Sequence, residues 1–168
     1  ERRWLGEMAE RYRVKADSTE ARIVALKRRI DTLPGALVIA QAAIESVWGT
    51  SRFAREGNNL FGEWCFTSGC GLVPRQRSAG ASHEVRWFPS VIHSIRSYMH
   101  NLNSHPAYSD VRARRTAARR ANRQPTAVDL AGGLEKYSER GAVYVEEVRT
   151  VIRANDLPNV YETTRDGA

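Results

Sequence analysis

Apolar positions recur at helical spacing through most of the chain. Between residues 2 and 15, and again between 18 and 32, they alternate with charges, Ile23, Leu26 and Ile30 falling three and four apart, so each stretch predicts an amphipathic helix. The Asp17-Ser18-Thr19-Glu20 cluster ahead of the second supplies side chains that cap free helical N–H groups. The next stretch, DTLPGALVIAQAAIESVWG, is more apolar. Asp31, Thr32 and Pro34 mark its entrance, Ala36, Leu37, Ala40, Ala43, Ile44 and Val47 form one stripe, and Gly49 is placed to end it.

From Gly57 to Pro89 the pattern changes. Glycines at 57, 62, 69, 71 and 80, with the alternation in HEVRWF, predict loops and a β-hairpin. Helical spacing returns in SVIHSIRSYMHNLN, with Ser90 as its cap, in an arginine-rich segment, in AVDLAGGLEKYS and in AVYVEEVRTVIRAND. No internal repeat occurs, and the tail ETTRDGA reads as frayed. The expected architecture is mainly α (α+β): a helical domain interrupted by a small strand-and-loop lobe over residues 57–89, with a cleft between the two parts.

Length and composition set limits on this picture. A chain of 168 residues, 42% hydrophobic and 27% charged, suits one domain around one core. No apolar run reaches eighteen residues, so no transmembrane segment is expected. The chain opens on ERRWLGEMAERYR, already inside a helical pattern, and a signal or anchor segment is therefore expected upstream. Lys and Arg number 26 against 19 acids, a net charge of +7 that favours an anionic partner: nucleic acid, anionic lipid or an acidic wall polymer. The six arginines of VRARRTAARRANRQ give one helix a basic face, read first as a solvated surface.

Cys65 and Cys70, with four residues between them in WCFTSGCG, suit a small disulfide-closed loop in an oxidising compartment, with two free buried thiols as the alternative. A zinc site needs two more ligands, and His83, His93, His100 and His105 lack metal spacing, so neither metal nor other cofactor is expected.

The chemistry gathers at one acid. Glu45 stands in AQAAIESVWGTSRFA, a segment otherwise reading as buried helix, where an unpaired carboxylate is costly. On a continuing helix its same-face neighbours are Gln41, Ala42, Trp48 and Gly49. A carboxyl desolvated beside an aromatic has its pKa raised and serves as a general acid near neutral pH, as lysozyme exemplifies. An edge residue, or a buried salt bridge to Arg52 or Arg55, is the plainer reading of the same position.

The longer stretch AQAAIESVWGTSRFAREGNNLFGEW resembles the signature of the bacterial endo-β-N-acetylglucosaminidases of glycoside hydrolase family 73: an apolar helix carrying Glu-Ser-x-Trp-Gly, then Asn-Leu-Phe-Gly. SYMHNLNSHPAY and YSERGAVY are similar to features of its Bax-like subgroup, and FlgJ-type flagellar hydrolases are a more distant likeness. The resemblance runs from Thr32 to Asp156, which divides the chain into an N-terminal helical extension (1–31), a glucosaminidase domain (32–156) and a tail (157–168).

That resemblance implies a lysozyme-like helical fold with a small β lobe, and cleavage of the β-1,4 bond after N-acetylglucosamine in peptidoglycan. The location it implies is the cell envelope, periplasmic or extracellular. Glu45 matches the acid that protonates the glycosidic oxygen. Residues 58–62, NNLFG, match the loop lining the cleft, Asn59 holding a turn and Phe61 packing the pocket. Trp48 and Trp64 are candidates to stack on sugar faces, or else core residues. Glu84 matches a second glutamate of the β lobe and is the candidate base, with Glu63 and Glu56 as weaker alternatives. The family's tyrosine segment corresponds to KYSERGAVY, one residue longer than the usual Tyr-Ala-Thr-Asp-Pro form, and leaves Tyr137 and Tyr144 both as candidates. Peptidoglycan strands are the expected partner and nucleic acid is not. The rival readings are a lytic transglycosylase, which needs the helix-borne acid but no water-activating base, and a non-catalytic basic binding module.

Overall fold

A computed structural model of the protein describes residues 2–158. Among these the chain forms helices α1 (Arg2–Arg11), α2 (Thr19–Arg29), α3 (Gly35–Ser46), α4 (Arg52–Gly57), α5 (Val91–Ser104), α6 (Ser109–Arg120), α7 (Ala127–Ala131) and α8 (Ala142–Ala154). Strands β1 (Trp64–Cys65), β2 (Gly71–Leu72) and β3 (Glu84–Arg86) form a small antiparallel sheet, so the mainly helical α+β expectation holds. No described helix is long and apolar enough to cross a membrane. Most of the expected 157–168 tail lies outside the described residues. The chain divides into two compact units, one of residues up to Leu37 with those from Met99 onward, the other Val38–Tyr98.

The first unit is helical. Ser18 accepts from the Ala21 N–H at 3.1 Å and starts α2 where the sequence placed its cap. In α8, Tyr144, Val145, Val148 and Ile152 follow the three-and-four spacing and are buried, each such side chain contributing about 1.5–3 kcal/mol by leaving water. They pack against α7, and Gly133 just beyond α7 lets the chain reach α6: a Cβ there would fall 2.4 Å from the Val111 nitrogen.

The arginine segment departs from the expected solvated face. Arg112 and Arg115 on α6 are buried, and Arg115 donates to the carbonyl oxygens of Arg28 (3.0 Å) and Thr32 (3.2 Å) while its Nε lies 3.4 Å from Asp31. Arg112 donates to the carbonyls of Leu102 (2.8 Å) and His105 (2.9 Å). The last carbonyls of a helix have no partner within it, and a guanidinium fork satisfies several at once. Burial, with the charges of Arg29 and Arg115, lowers the pKa of Arg112 to about 10, which leaves it charged at neutral pH. Periodicity shows which residues share a helical face; it does not show that two of the arginines meet helix ends there.

The second unit carries the sheet, ordered β1-β3-β2 with β3 central; Trp64 pairs with Val85, Cys65 with Glu84, and Gly71 with Arg86. The expected hairpin is thus a three-stranded sheet. A disulfide joins Cys65 to Cys70, leaving no free cysteine, and pinches the loop so that the strands before and after it flank the same partner.

Candidate functional site

Glu45 lies on α3 one residue before its end, half-buried. The helix stops sharply after it. Ser46 Oγ donates to the Ala42 carbonyl (2.5 Å) and accepts from the Gly49 N–H (2.7 Å), while the Trp48 N–H reaches back to the Ala43 carbonyl (2.7 Å). These bonds hold Val47, Trp48 and Gly49 in succession at φ of 54°, 54° and 77°. A left-handed conformation costs a non-glycine residue roughly 1–2 kcal/mol, and a β-branched one adopts it rarely. Strain of this kind persists where the surroundings over-determine it.

This exit corrects two expectations. Val47 is not part of the buried stripe and Trp48 is not a same-face helical neighbour of Glu45: both leave the helix and are 62% and 63% exposed. The helix pattern carried no sign of the turn, because Ser46, which holds it, is unremarkable as a helical residue.

The NNLFG turn approaches Glu45 from elsewhere in the same unit. Gly62 has φ +66°, and a Cβ built on it would lie 3.7 Å from Glu45 Oε2, so the carboxylate rests against the one residue of the turn without a side chain. Asn59, 2% exposed, holds that geometry with four bonds. Its Nδ2 donates to the carbonyls of Glu63 and Arg86, both at 2.9 Å, and its Oδ1 accepts from the N–H groups of Phe61 (3.3 Å) and Glu63 (3.1 Å). Phe61 is buried and stacks on Tyr98, ring centroids 4.0 Å apart. The Tyr98 hydroxyl donates to Gln41 Oε1 at 2.5 Å, one helical turn before Glu45. Asn59 thus ties the turn to its neighbours and Phe61 anchors it against Tyr98, with Gly62 of the same turn lying against Glu45.

The same unit carries exposed aromatic rings and two further acids. Trp64 stacks one face on His83 (4.1 Å) and is 57% exposed; Phe66 and Trp87, which pattern reading passed over, are also exposed. Their one sequence signal is position, since they flank the short strands of a polar lobe. Glu63 follows Gly62. Its Oε2 accepts from Ser97 Oγ at 2.7 Å, and its Oε1 is buried without a hydrogen-bond partner among the described residues. Burial pushes its pKa up, against the Ser97 bond and the Arg86 charge. Glu84 is buried and turned into the disulfide loop, Oε1 accepting from Gly69 N–H (3.0 Å) and Oε2 from Gly71 N–H (2.8 Å). Those bonds hold its pKa below the usual carboxylate value.

The two tyrosines belong to the other unit. Tyr144 is fully buried and stacks beneath Tyr137 at 5.5 Å with a 6° interplanar angle; Tyr137 is half-buried.

No solved structure matches the chain. The chain is 39% identical over 146 residues to Protein bax of Escherichia coli (strain K12), an alignment covering 86% of this chain and 52% of that protein. It therefore spans about half the length of the curated relative it matches. Residues 20–157 match the glucosaminidase family, described as mannosyl-glycoprotein endo-beta-N-acetylglucosaminidase. This match, which covers most of the chain, places the protein in the glucosaminidase family of glycoside hydrolases.

Proposed function

We propose that the protein cleaves the β-1,4 bond after N-acetylglucosamine in peptidoglycan, with Glu45 as general acid. The observation that carries this reading is the half-buried Glu45 carboxylate resting on Gly62 of the NNLFG turn, the one residue of that turn without a side chain to cover it. Trp48 and Trp64 present open ring faces in the same unit, suited to stacking on pyranose rings. Asn59 and Phe61 act from beneath, fixing the turn.

In the reaction Glu45 donates its proton to the glycosidic oxygen as the bond to the anomeric carbon breaks, and an oxocarbenium-like charge develops. Glu84 is the candidate base by its place on β3, but both of its oxygens are bonded to backbone N–H groups of the disulfide loop. That commitment favours the other route to a second catalytic group: the substrate's own acetamido oxygen attacks the anomeric carbon, and water then opens the cyclic intermediate. Of the two tyrosines, Tyr137 keeps exposed ring surface and Tyr144 supports it. No cofactor enters this scheme. The protein acts in the cell envelope, periplasmic or extracellular, where its charge of +7 draws it to an anionic wall polymer.

Digestion of purified peptidoglycan with the protein and with Glu45→Gln, followed by borohydride reduction and mass spectrometry of the new ends, tests the proposal. Reduced N-acetylglucosamine ends from the parent alone are expected. Anhydro-muramic ends would assign the chain to transglycosylase chemistry, and wall binding without cleavage by either protein would make it a binding module.

A further inference from the structure

An open cavity of about 790 Å³, whose lining does not include Glu45, lies in the Val38–Tyr98 unit between α4 and the segment leaving β2, bordered by Thr50, Arg52, Phe53, Arg55, Glu56, Pro74, Arg75 and Gln76. Its size falls in the range that ligand pockets occupy. Arg52 builds its frame. One guanidinium nitrogen donates to the Val73 carbonyl at 2.6 Å, the other lies 3.8 Å from Glu56, and the group covers the Phe53 ring at 5.0 Å. Arg55 and Arg75 have no such employment: neither forms an ion pair or side-chain hydrogen bond with any described residue. Three arginines against one glutamate leave the lining with a net charge of +2.

We propose that this cavity binds the carboxylates of a short acidic peptide carried on the glycan, an assignment that rests on the glycan-cleaving reading above. The reasoning is chemical complementarity. Free guanidinium forks match carboxylates in paired hydrogen bonds, Phe53 and Pro74 offer apolar walls to aliphatic peptide carbons, and Thr50 and Gln76 offer uncharged donors and acceptors to peptide amides. Thr50 lines the cavity five residues after Glu45, so chain continuity connects the Trp48 exit turn to this wall. A nucleic-acid strand calls for a longer basic track than this single patch of three arginines.

The test uses the whole protein at low salt. A synthetic tetrapeptide with two free carboxylates, its fully amidated counterpart and inorganic phosphate are each titrated against the parent and against the Arg55→Gln/Arg75→Gln double variant. In parallel, cleavage of stem-bearing glycan is compared with cleavage of glycan stripped of its peptides. The expected result is binding of the free-acid peptide alone, weakened about tenfold or more in the double variant, with a similar loss of preference for stem-bearing glycan. Equal binding of the amidated peptide, equal binding by the double variant, or phosphate binding without peptide binding overturns the assignment. Peptide binding through Arg55 and Arg75 in a protein that cleaves no glycan would instead overturn the glucosaminidase reading and leave the carboxylate site standing.

Discussion

Asn59 donates through Nδ2 to the carbonyl oxygen of Arg86 at 2.9 Å, tying the NNLFG turn to the central strand of the sheet 27 residues further along the chain. The bond helps explain how only seven strand residues in total form a defined lobe joined to the turn that meets Glu45. Asn59→Ala should destabilise the protein by about 3 kcal/mol, since it leaves buried carbonyl and N–H groups unpaired. Asn59→Asp should be no better, because it keeps the acceptor toward Phe61 and Glu63 but faces two carbonyl oxygens with a charge. Urea unfolding of both variants measures this.

Gly62→Ala separates chemistry from stability. The positive φ costs the variant about 1 kcal/mol, while its new methyl stands in contact with the Glu45 carboxylate. Peptidoglycan cleavage should fall about tenfold or more, beyond what the lost stability explains at a temperature where the variant stays folded. Unchanged turnover would detach the turn from the chemistry.

Arg115 links α6 to the end of α2 through backbone carbonyls. Arg115→Met should cost about 1–3 kcal/mol, because the buried carbonyls of Arg28 and Thr32 lose their donor, while Asp31 keeps Arg119 at 3.1 Å as its counter-charge. Arg115→Lys should recover little, since an ammonium cannot reach carbonyls on both sides as the planar fork does. Thermal unfolding of the two variants decides it, and recovery by lysine would reduce the role of Arg115 to charge alone.

Glu63 gives the stability a pH dependence of known sign. Burial raises its folded pKa above the ordinary value of 4.5, so the native state holds a proton that the unfolded chain has released. Its contribution is fully present below 4.5 and is lost as pH rises through the raised folded value. Glu63→Gln should flatten that fall and leave the variant relatively more stable at neutral pH. Denaturation midpoints from about pH 4 to about pH 8 read this directly. A parallel shift at every pH would show the carboxyl to be solvated.

Removing the disulfide as Cys65→Ser/Cys70→Ser should cost about 2 kcal/mol for so short a loop. Glu84→Gln acts on the same loop by weakening the Gly69 and Gly71 bonds, so its effect should be smaller in the serine background than alone. Additive effects would show that the disulfide and the carboxylate hold the loop independently.

Much of this protein was legible in its sequence. Helical spacing, the Ser18 cap and the glycine-rich interval from residue 57 are local facts, and local hydrogen bonding and side-chain period are enough to produce helices with a small lobe between them. Glu45 stood out because a carboxylate is costly in an apolar helix, and NNLFG through its resemblance to the glucosaminidase signature. The tertiary structure decided the rest. Whether arginines face water or helix ends, whether a valine continues its stripe or turns outward, and which backbone groups take up Glu84 all depend on partners distant in the sequence. Such partners compete with solvent only once the chain has packed, so no period or motif records them. The placement of Gly62 against Glu45 is of the same kind: each residue was visible alone, and the buried bonds of Asn59 and the Phe61–Tyr98 stack, which no local pattern encodes, brought them together.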